Sequence, residues 1–379
     1  MNDPRPEPNI SRFLAERIAA GDFPSAVYAI AQRGCALFAD ALGDSVIEPE
    51  RRTATLKTIY DLASLTKPLV TGLLIARLLD KEAFSLDDEV ANYLPPFRRE
   101  DKRKITIRHL VTHASGLPAW RPLYLLAEGD PHKALDVIAQ QPLECAPGER
   151  VIYSDLGFIA LGFLIERLTD RPFGETAHQE IFAPLALQRT LFNPSESLRA
   201  EIAASEMEGT TYEREMCRQL GAKISRHNWR EGVIWGEVHD ENARFLGGAS
   251  AHAGLFSSVD ETVRLAREFL ASSATLLQPA ACELFRTNMT PDLNEARSLA
   301  WQLAATPDST AGPDLPPDAF GHTGFTGTSC WLDPQRERIF VLLTNRTHVR
   351  ARTFANINGV RRRFHSLAVA ALDASERDA

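Results

Sequence analysis

Thr58-Ile-Tyr-Asp-Leu-Ala-Ser-Leu-Thr-Lys-Pro-Leu-Val-Thr-Gly-Leu-Leu-Ile-Ala-Arg-Leu-Leu79 sets a short strand-like run, Thr58 to Asp61, against a segment from Leu69 that is apolar nearly all round. Such a segment reads as a buried helix. Ser64 and Lys67 stand at the junction, three residues apart on a first helical turn, so they share a face. A serine hydroxyl attacks poorly until a neighbour takes its proton, and a lysine kept from water can take it because burial lowers its pKa. Pro68 has no N–H to donate, which leaves this turn free to be irregular. Alone, S-x-x-K is a weak signal, since roughly one copy is expected by chance in a chain of this length.

Reading outward, Asn9 to Ala20 places Ile10, Phe13, Leu14 and Ile18 at helical spacing, with Gly21 where a helix end favours a residue lacking Cβ. Ala26-Val-Tyr-Ala-Ile-Ala31 and Cys35-Ala-Leu-Phe-Ala-Asp40 flank Arg33-Gly34 and read as an antiparallel hairpin. At the far end, Gly327 to Asp333 and Arg338 to Thr344 form a second hairpin around the polar turn Asp333-Pro-Gln-Arg-Glu337. The tail sets Phe354, Ile357, Val360, Phe364, Leu367 and Ala371 on one helical face, which leaves Arg361 to Arg363 largely solvated. Between the ends the pattern is mostly helical, broken at Pro95-Pro96, Gly116-Leu-Pro118 and Pro147-Gly148, with Ser258-Val-Asp-Glu261 as a capping box. The expected fold is α/β (α+β). It is an antiparallel-sheet sandwich flanked by terminal helices, built discontinuously from residues 1–80 and 296–379, with an inserted mainly helical domain of residues 81–295.

Two further patterns follow Ser64 in order. Tyr153-Ser-Asp155 comes after the turn Ala146-Pro-Gly148 and before an apolar segment, and His322-Thr-Gly324 begins a strand-like run from Phe325 to Asp333. Together with Ser64-Leu-Thr-Lys67 they resemble the S-x-x-K, Y/S-x-N and K-T-G elements of the serine β-lactamase and penicillin-binding-protein superfamily. A tyrosine in the second element is similar to the class C β-lactamase branch, which also contains carboxylesterases and D-amino-acid peptidases. Asp61-Leu-Ala-Ser-Leu-Thr-Lys67, Ile107-Arg-His-Leu-Val-Thr-His-Ala-Ser-Gly-Leu-Pro118, Pro147-Gly-Glu-Arg-Val-Ile-Tyr-Ser-Asp-Leu-Gly157 and Gly321-His-Thr-Gly-Phe-Thr-Gly327 extend the likeness over nearly the whole chain.

The resemblance implies a sandwich domain beside a helical domain, with the active site in the cleft between them. By position it implies Ser64 as nucleophile, Lys67 and Tyr153 as the proton-handling pair, and the backbone N–H groups of Ser64 and Phe325 as the oxyanion hole. Asp155, His322, Thr323 and Gly324 are the implied substrate-binding residues. The chemistry is acyl transfer through an acyl-enzyme, with no cofactor and no metal, each oxyanion donor contributing roughly 10²- to 10³-fold. Which of Lys67 and Tyr153 is the base stays open, because such a pair titrates as a unit. Two departures bear on substrate. Asp155 replaces the neutral Asn of the pattern and His322 its Lys, so the cleft is less positive and favours a neutral ester or amide. Arg346 or Arg350, beyond the last strand, could restore a grip on a carboxylate. The expected activity is that of an esterase or amidase. The alternatives are a D-Ala-D-Ala carboxypeptidase or weak class C-type β-lactamase, and a catalytically silent ligand-binding module on the same fold.

Composition narrows the remaining classes. With 379 residues, 44% hydrophobic and 24% charged, the chain is no disordered polymer and can build a core without a structural metal. A net charge of −8 and no long basic tract argue against a nucleic-acid binder and leave a small ester, amide or peptide-derived partner. No apolar run reaches a membrane span, and the opening Met1-Asn-Asp-Pro4 has no leader pattern, so a soluble cytoplasmic protein is expected, its oligomeric state open. Cys35, Cys145, Cys217, Cys282 and Cys330 are odd in number and never paired as C-x-x-C, which predicts free thiols. His109 and His113 have zinc-helix spacing, but Leu110 stands where that motif needs Glu. His239, Asp240 and His252 either wall a substrate pocket or stiffen their loops, and Gly248-Ala-Ser-Ala-His252 misses the nucleophile elbow at its last position.

Overall fold

Arg33 and Gly34 both take positive φ, 48° and 78°, and reverse the chain in two residues so that Gln32 pairs with Cys35. Right-handed strand twist favours this tight turn. The computed structural model describes residues 4–350 and 354–377. Among them are nine strands: β1 Ser25–Gln32, β2 Cys35–Val46, β3 Arg52–Thr53, β4 Tyr60–Asp61, β5 Phe256–Ser257, β6 Gln302–Leu303, β7 Phe320–Thr323, β8 Ser329–Asp333 and β9 Arg338–Thr344. Seven of them form one antiparallel sheet in the order β3-β2-β1-β9-β8-β7-β6. The two hairpins read from the sequence therefore meet at its centre, Ala26 against Thr344 and Gln32 against Arg338.

Strand alternation divides the core in two. Ala26, Tyr28 and Ile30 of β1 face the helices Pro8–Ala19 and Asn358–Arg377, which bring Ile10, Leu14, Phe364 and Leu372 to a common cluster. Val27, Ala29 and Ala31 face the other way, into a larger cluster with Leu69, Leu73 and Val263. The first helix starts where the Glu7 carboxylate accepts the Ile10 N–H at 2.7 Å, and it stops before Gly21 at φ 83°.

Three local readings change. His322 and Thr323 end β7 and Gly324 opens the turn of residues 324–328 before β8, so this motif does not begin a strand. Helix Val259–Ala266 starts at Ser258, but no capping box closes it: the Glu261 carboxylate instead accepts the N–H groups of Gln188 and Arg189, each at 2.8 Å. Arg361 is 4% exposed, whereas Arg363 is in solvent. Arg361 lies four residues after Ile357 and three before Phe364, on the buried face of the closing helix. Of the cysteines, all free, Cys35 is exposed.

Gly321 on β7 pairs with Trp331 on β8, and a Cβ there would fall inside the buried indole ring. Gly321→Ala should therefore lower the free energy of unfolding by about 1–3 kcal/mol, seen as an earlier urea midpoint at unchanged slope.

Candidate active site

Ser64 sits on a 3-10 turn, Ala63–Leu65, between β4 and the wide π turns Lys67–Gly72 that run into helix Leu73–Asp80. Pro68, lacking an N–H, stands at the start of the irregular stretch, as its chemistry requires. Ala63 is held at φ 47°, a left-handed conformation that costs a non-glycine residue of order 1–3 kcal/mol. The surroundings impose it. The Asp61 carboxylate accepts the N–H groups of Ala63 and His239, each at 2.8 Å. From the turn between β7 and β8, the Thr326 hydroxyl donates to the Asp61 carbonyl at 2.7 Å and the Thr328 hydroxyl to the Leu62 carbonyl at 3.0 Å. Gly324 is needed at this seam, because a Cβ would collide with the Leu62 carbonyl oxygen.

Lys67 is fully buried, and its Nζ lies 3.0 Å from Ser64 Oγ, 3.0 Å from the His252 carbonyl and 2.5 Å from Asp155 Oδ1. This overturns the expectation of a lysine depressed by burial. Burial does push it down, but Asp155, together with Tyr153, more than offsets that and holds Lys67 above the ordinary lysine range. Asp155 opens helix Asp155–Thr169, whose cap is the Ser154 hydroxyl accepting the Gly157 N–H at 3.2 Å.

Tyr153 lies against both partners, its ring centroid 5.0 Å from Lys67 Nζ. Burial raises its phenol, Lys67 lowers it, and the balance stays above the ordinary tyrosine value. Behind it is His113, buried, with ring centroids 4.5 Å apart. The Ser154 N–H donates to His113 Nδ1 at 2.9 Å, which fixes the neutral Nε2–H tautomer, and burial and then Arg297 hold its pKa well below the ordinary histidine value. His109 serves its own helix instead, accepting the Thr106 N–H at 3.1 Å.

Two lobes open beside Ser64, and Ser64, Tyr153 and Phe325 line both. The larger, about 390 Å³, is edged by His322, Thr323, Gly324 and the guanidinium groups of Arg297, Arg346 and Arg361. His322 donates from Nδ1 to the Thr323 carbonyl at 2.9 Å, and burial and then Arg297 keep it uncharged, its pKa well below the ordinary histidine value. Arg297 pairs with Glu295 at 2.6 Å. Arg346 and Arg361 have no carboxylate partner among the described residues. They donate to carbonyls, Arg346 to Phe325 at 2.6 Å and Arg361 to Gly324 at 2.8 Å. Burial, with Arg346 nearby, brings Arg361 down to about 9. Arg350 lies elsewhere, exposed and paired with Glu48 at 2.6 Å. The smaller lobe, about 210 Å³, carries Asp155, Glu213, His239 and Asp240 between Trp120 and Tyr212. His252 contributes its carbonyl to Lys67, while its ring binds Asp240 at 3.0 Å. Sequence reading passed over Arg297, Trp120, Tyr212 and Glu213, and gave His113 and Arg361 no part in the site. For Arg361 the helical phase carried the signal.

The profile of a family described as "Beta-lactamase" matches residues 10–360. A protein of Escherichia coli (strain K12) provisionally named a D-alanyl-D-alanine carboxypeptidase is 31% identical over 367 residues, covering 89% of this chain and 82% of its own. Among solved structures, "EstCE1, a hydrolase with promiscuous acyltransferase activity" has a TM-score of 0.73 at 21% identity and covers 96% of this chain and 98% of its own. A class C beta-lactamase has a TM-score of 0.72 at 14% identity, covering 96% and 95%. The fold is theirs: mixed α/β around an antiparallel sheet.

Lys67→Met leaves the Asp155 carboxylate without its cation and should lower unfolding free energy by roughly 2–4 kcal/mol in urea titrations. Adding Asp155→Asn should restore most of that loss. Strictly additive losses would show that the two are uncoupled.

Proposed function

The chain belongs to the beta-lactamase family and is a serine hydrolase, and from that premise we propose that Ser64 is its nucleophile, with Lys67 and Tyr153 moving the proton. The observation that carries this reading is the 3.0 Å contact between Lys67 Nζ and Ser64 Oγ at the floor shared by both lobes. As Oγ bonds to the substrate carbonyl carbon, its proton passes to the Lys67–Tyr153 pair and negative charge builds on the carbonyl oxygen. The backbone N–H groups of Ser64 and Phe325 hold that oxygen. Collapse expels the leaving group, which takes the proton, and water then releases the acyl group from Ser64.

For the substrate, the larger lobe supports an ester or amide bearing a carboxylate. The replacement of Lys by His322 removes one cation, yet the closing helix supplies Arg361 and the segment after β9 supplies Arg346, neither neutralised by a carboxylate among the described residues. A peptide with a free carboxyl end fits that lobe, consistent with the name carried by the Escherichia coli relative. His322, Thr323 and Gly324 then line the carboxylate side, with the neutral His322 offering an acceptor at Nε2.

The test compares N-acetyl-D-alanyl-D-alanine with its C-terminal amide, and mono-p-nitrophenyl glutarate with p-nitrophenyl butyrate. A charge-assisted contact predicts a preference for the carboxylate of roughly 10- to 100-fold in kcat/KM. The preference should shrink in Arg361→Gln, and being a ratio within one variant it is insensitive to loss of folded enzyme. Equal rates on both members of each pair would rule out the carboxylate reading. Turnover that survives Ser64→Ala would rule out the nucleophile.

A further inference from the structure

We propose that Asp155 is a positioning residue that fixes Lys67 as an ammonium and so sets how alkaline the medium must be before the proton-handling pair becomes active. The inference rests on the proposed roles of Ser64, Lys67 and Tyr153. An ammonium has three N–H groups and no lone pair. Here Lys67 donates to Ser64 Oγ and to the His252 carbonyl, each at 3.0 Å, and forms an ion pair with Asp155 Oδ1 at 2.5 Å. With a carboxylate as its nearest partner, Lys67 donates toward Ser64 and has no site to receive a proton from it. The hydroxyl proton of Ser64 is left to Tyr153, against which both side chains lie.

The charges facing this pair come from several elements. Asp155, from the helix it opens, and Asp240, from the loop before helix Glu241–Phe245, both act on Lys67 from the smaller lobe. On the other side stand Arg297, 5.8 Å from the Tyr153 ring, and the uncharged His113 and His322. Asp155 is the negative group in direct contact. Its charge favours the proton on Lys67 and opposes a phenolate on Tyr153, so both effects delay the loss of a proton by the pair as pH rises. During attack, a phenolate Tyr153 takes the Ser64 proton while the Oγ–C bond forms and the carbonyl electron pair moves to oxygen. On collapse the phenol returns that proton to the leaving group, and Lys67 remains an ammonium throughout.

The experiment is the pH profile of kcat/KM on p-nitrophenyl butyrate for wild type, Asp155→Asn and Ser64→Ala. Asparagine keeps the shape and removes the charge, so the midpoint of the acid limb should move to lower pH by about one unit or more. The midpoint is independent of how much of the variant folds. An acid limb that stays in place or moves upward overturns the proposal, as does a variant inactive at every pH, which would make the carboxylate itself a participant in proton transfer. Wild-type turnover that persists in Ser64→Ala would instead overturn the catalytic reading beneath it.

Discussion

A lysine ammonium with no exposure to water, held 2.5 Å from a carboxylate, is the constraint on which the rest of the site depends. Taking both charges out of water carries a desolvation penalty of several kcal/mol per ion, and only good geometry with further hydrogen bonds offsets it. The chain meets that requirement from distant segments. Lys67 comes from the turns after β4, Asp155 from the first position of its helix, and a hydrogen-bond acceptor from the His252 carbonyl, whose loop is braced by the contacts of its ring with Asp240 and Ser250. Ser64 accepts from the same ammonium. Its oxygen is therefore oriented before any substrate arrives.

The sheet supplies the rigidity this arrangement needs. Hydroxyls of Thr326 and Thr328 bind the β7–β8 turn to the backbone just before Ser64, while Arg361 reaches from the closing helix to the carbonyls of Gly324 and Thr328 on the same turn. Phe325, which lines both lobes with Ser64, is held by this bracing, as its proposed part in the oxyanion hole requires. Arg361 and Arg346 brace this turn through its carbonyl groups and also give the larger lobe its positive charge. On the proposed reading, structure and specificity share the same guanidinium groups.

Much of this was legible in the sequence because it is local. Ser64 and Lys67 are three residues apart, the hairpins announce themselves by alternation and turn chemistry, and His322-Thr-Gly324 keeps a fixed spacing. Most of what the sequence reading got wrong depended on partners far along the chain. Burial alone lowers a lysine, but Lys67 meets Asp155, which no local pattern places beside it. Three consecutive arginines suggest a solvated face, yet only helical phase tells that Arg361 turns inward while Arg363 does not. Ser258 and Glu261 have the spacing of a capping box, but Glu261 found three other donors, the N–H groups of Gln188 and Arg189 and the Thr190 hydroxyl. His113, weighed as half of a metal pair, acts as the neutral backing of Tyr153.

The claim that Ser64 is an activated nucleophile is tested most directly by labelling the intact protein with an alkyl fluorophosphonate and locating the adduct by peptide mass spectrometry. The account predicts one phosphonyl group per chain, on Ser64, with labelling slowed by at least about tenfold when Tyr153 is replaced by Phe, since general-base help is typically worth 10²- to 10⁴-fold. A label on a different side chain, or an unlabelled Ser64 in protein that still hydrolyses esters, would contradict it.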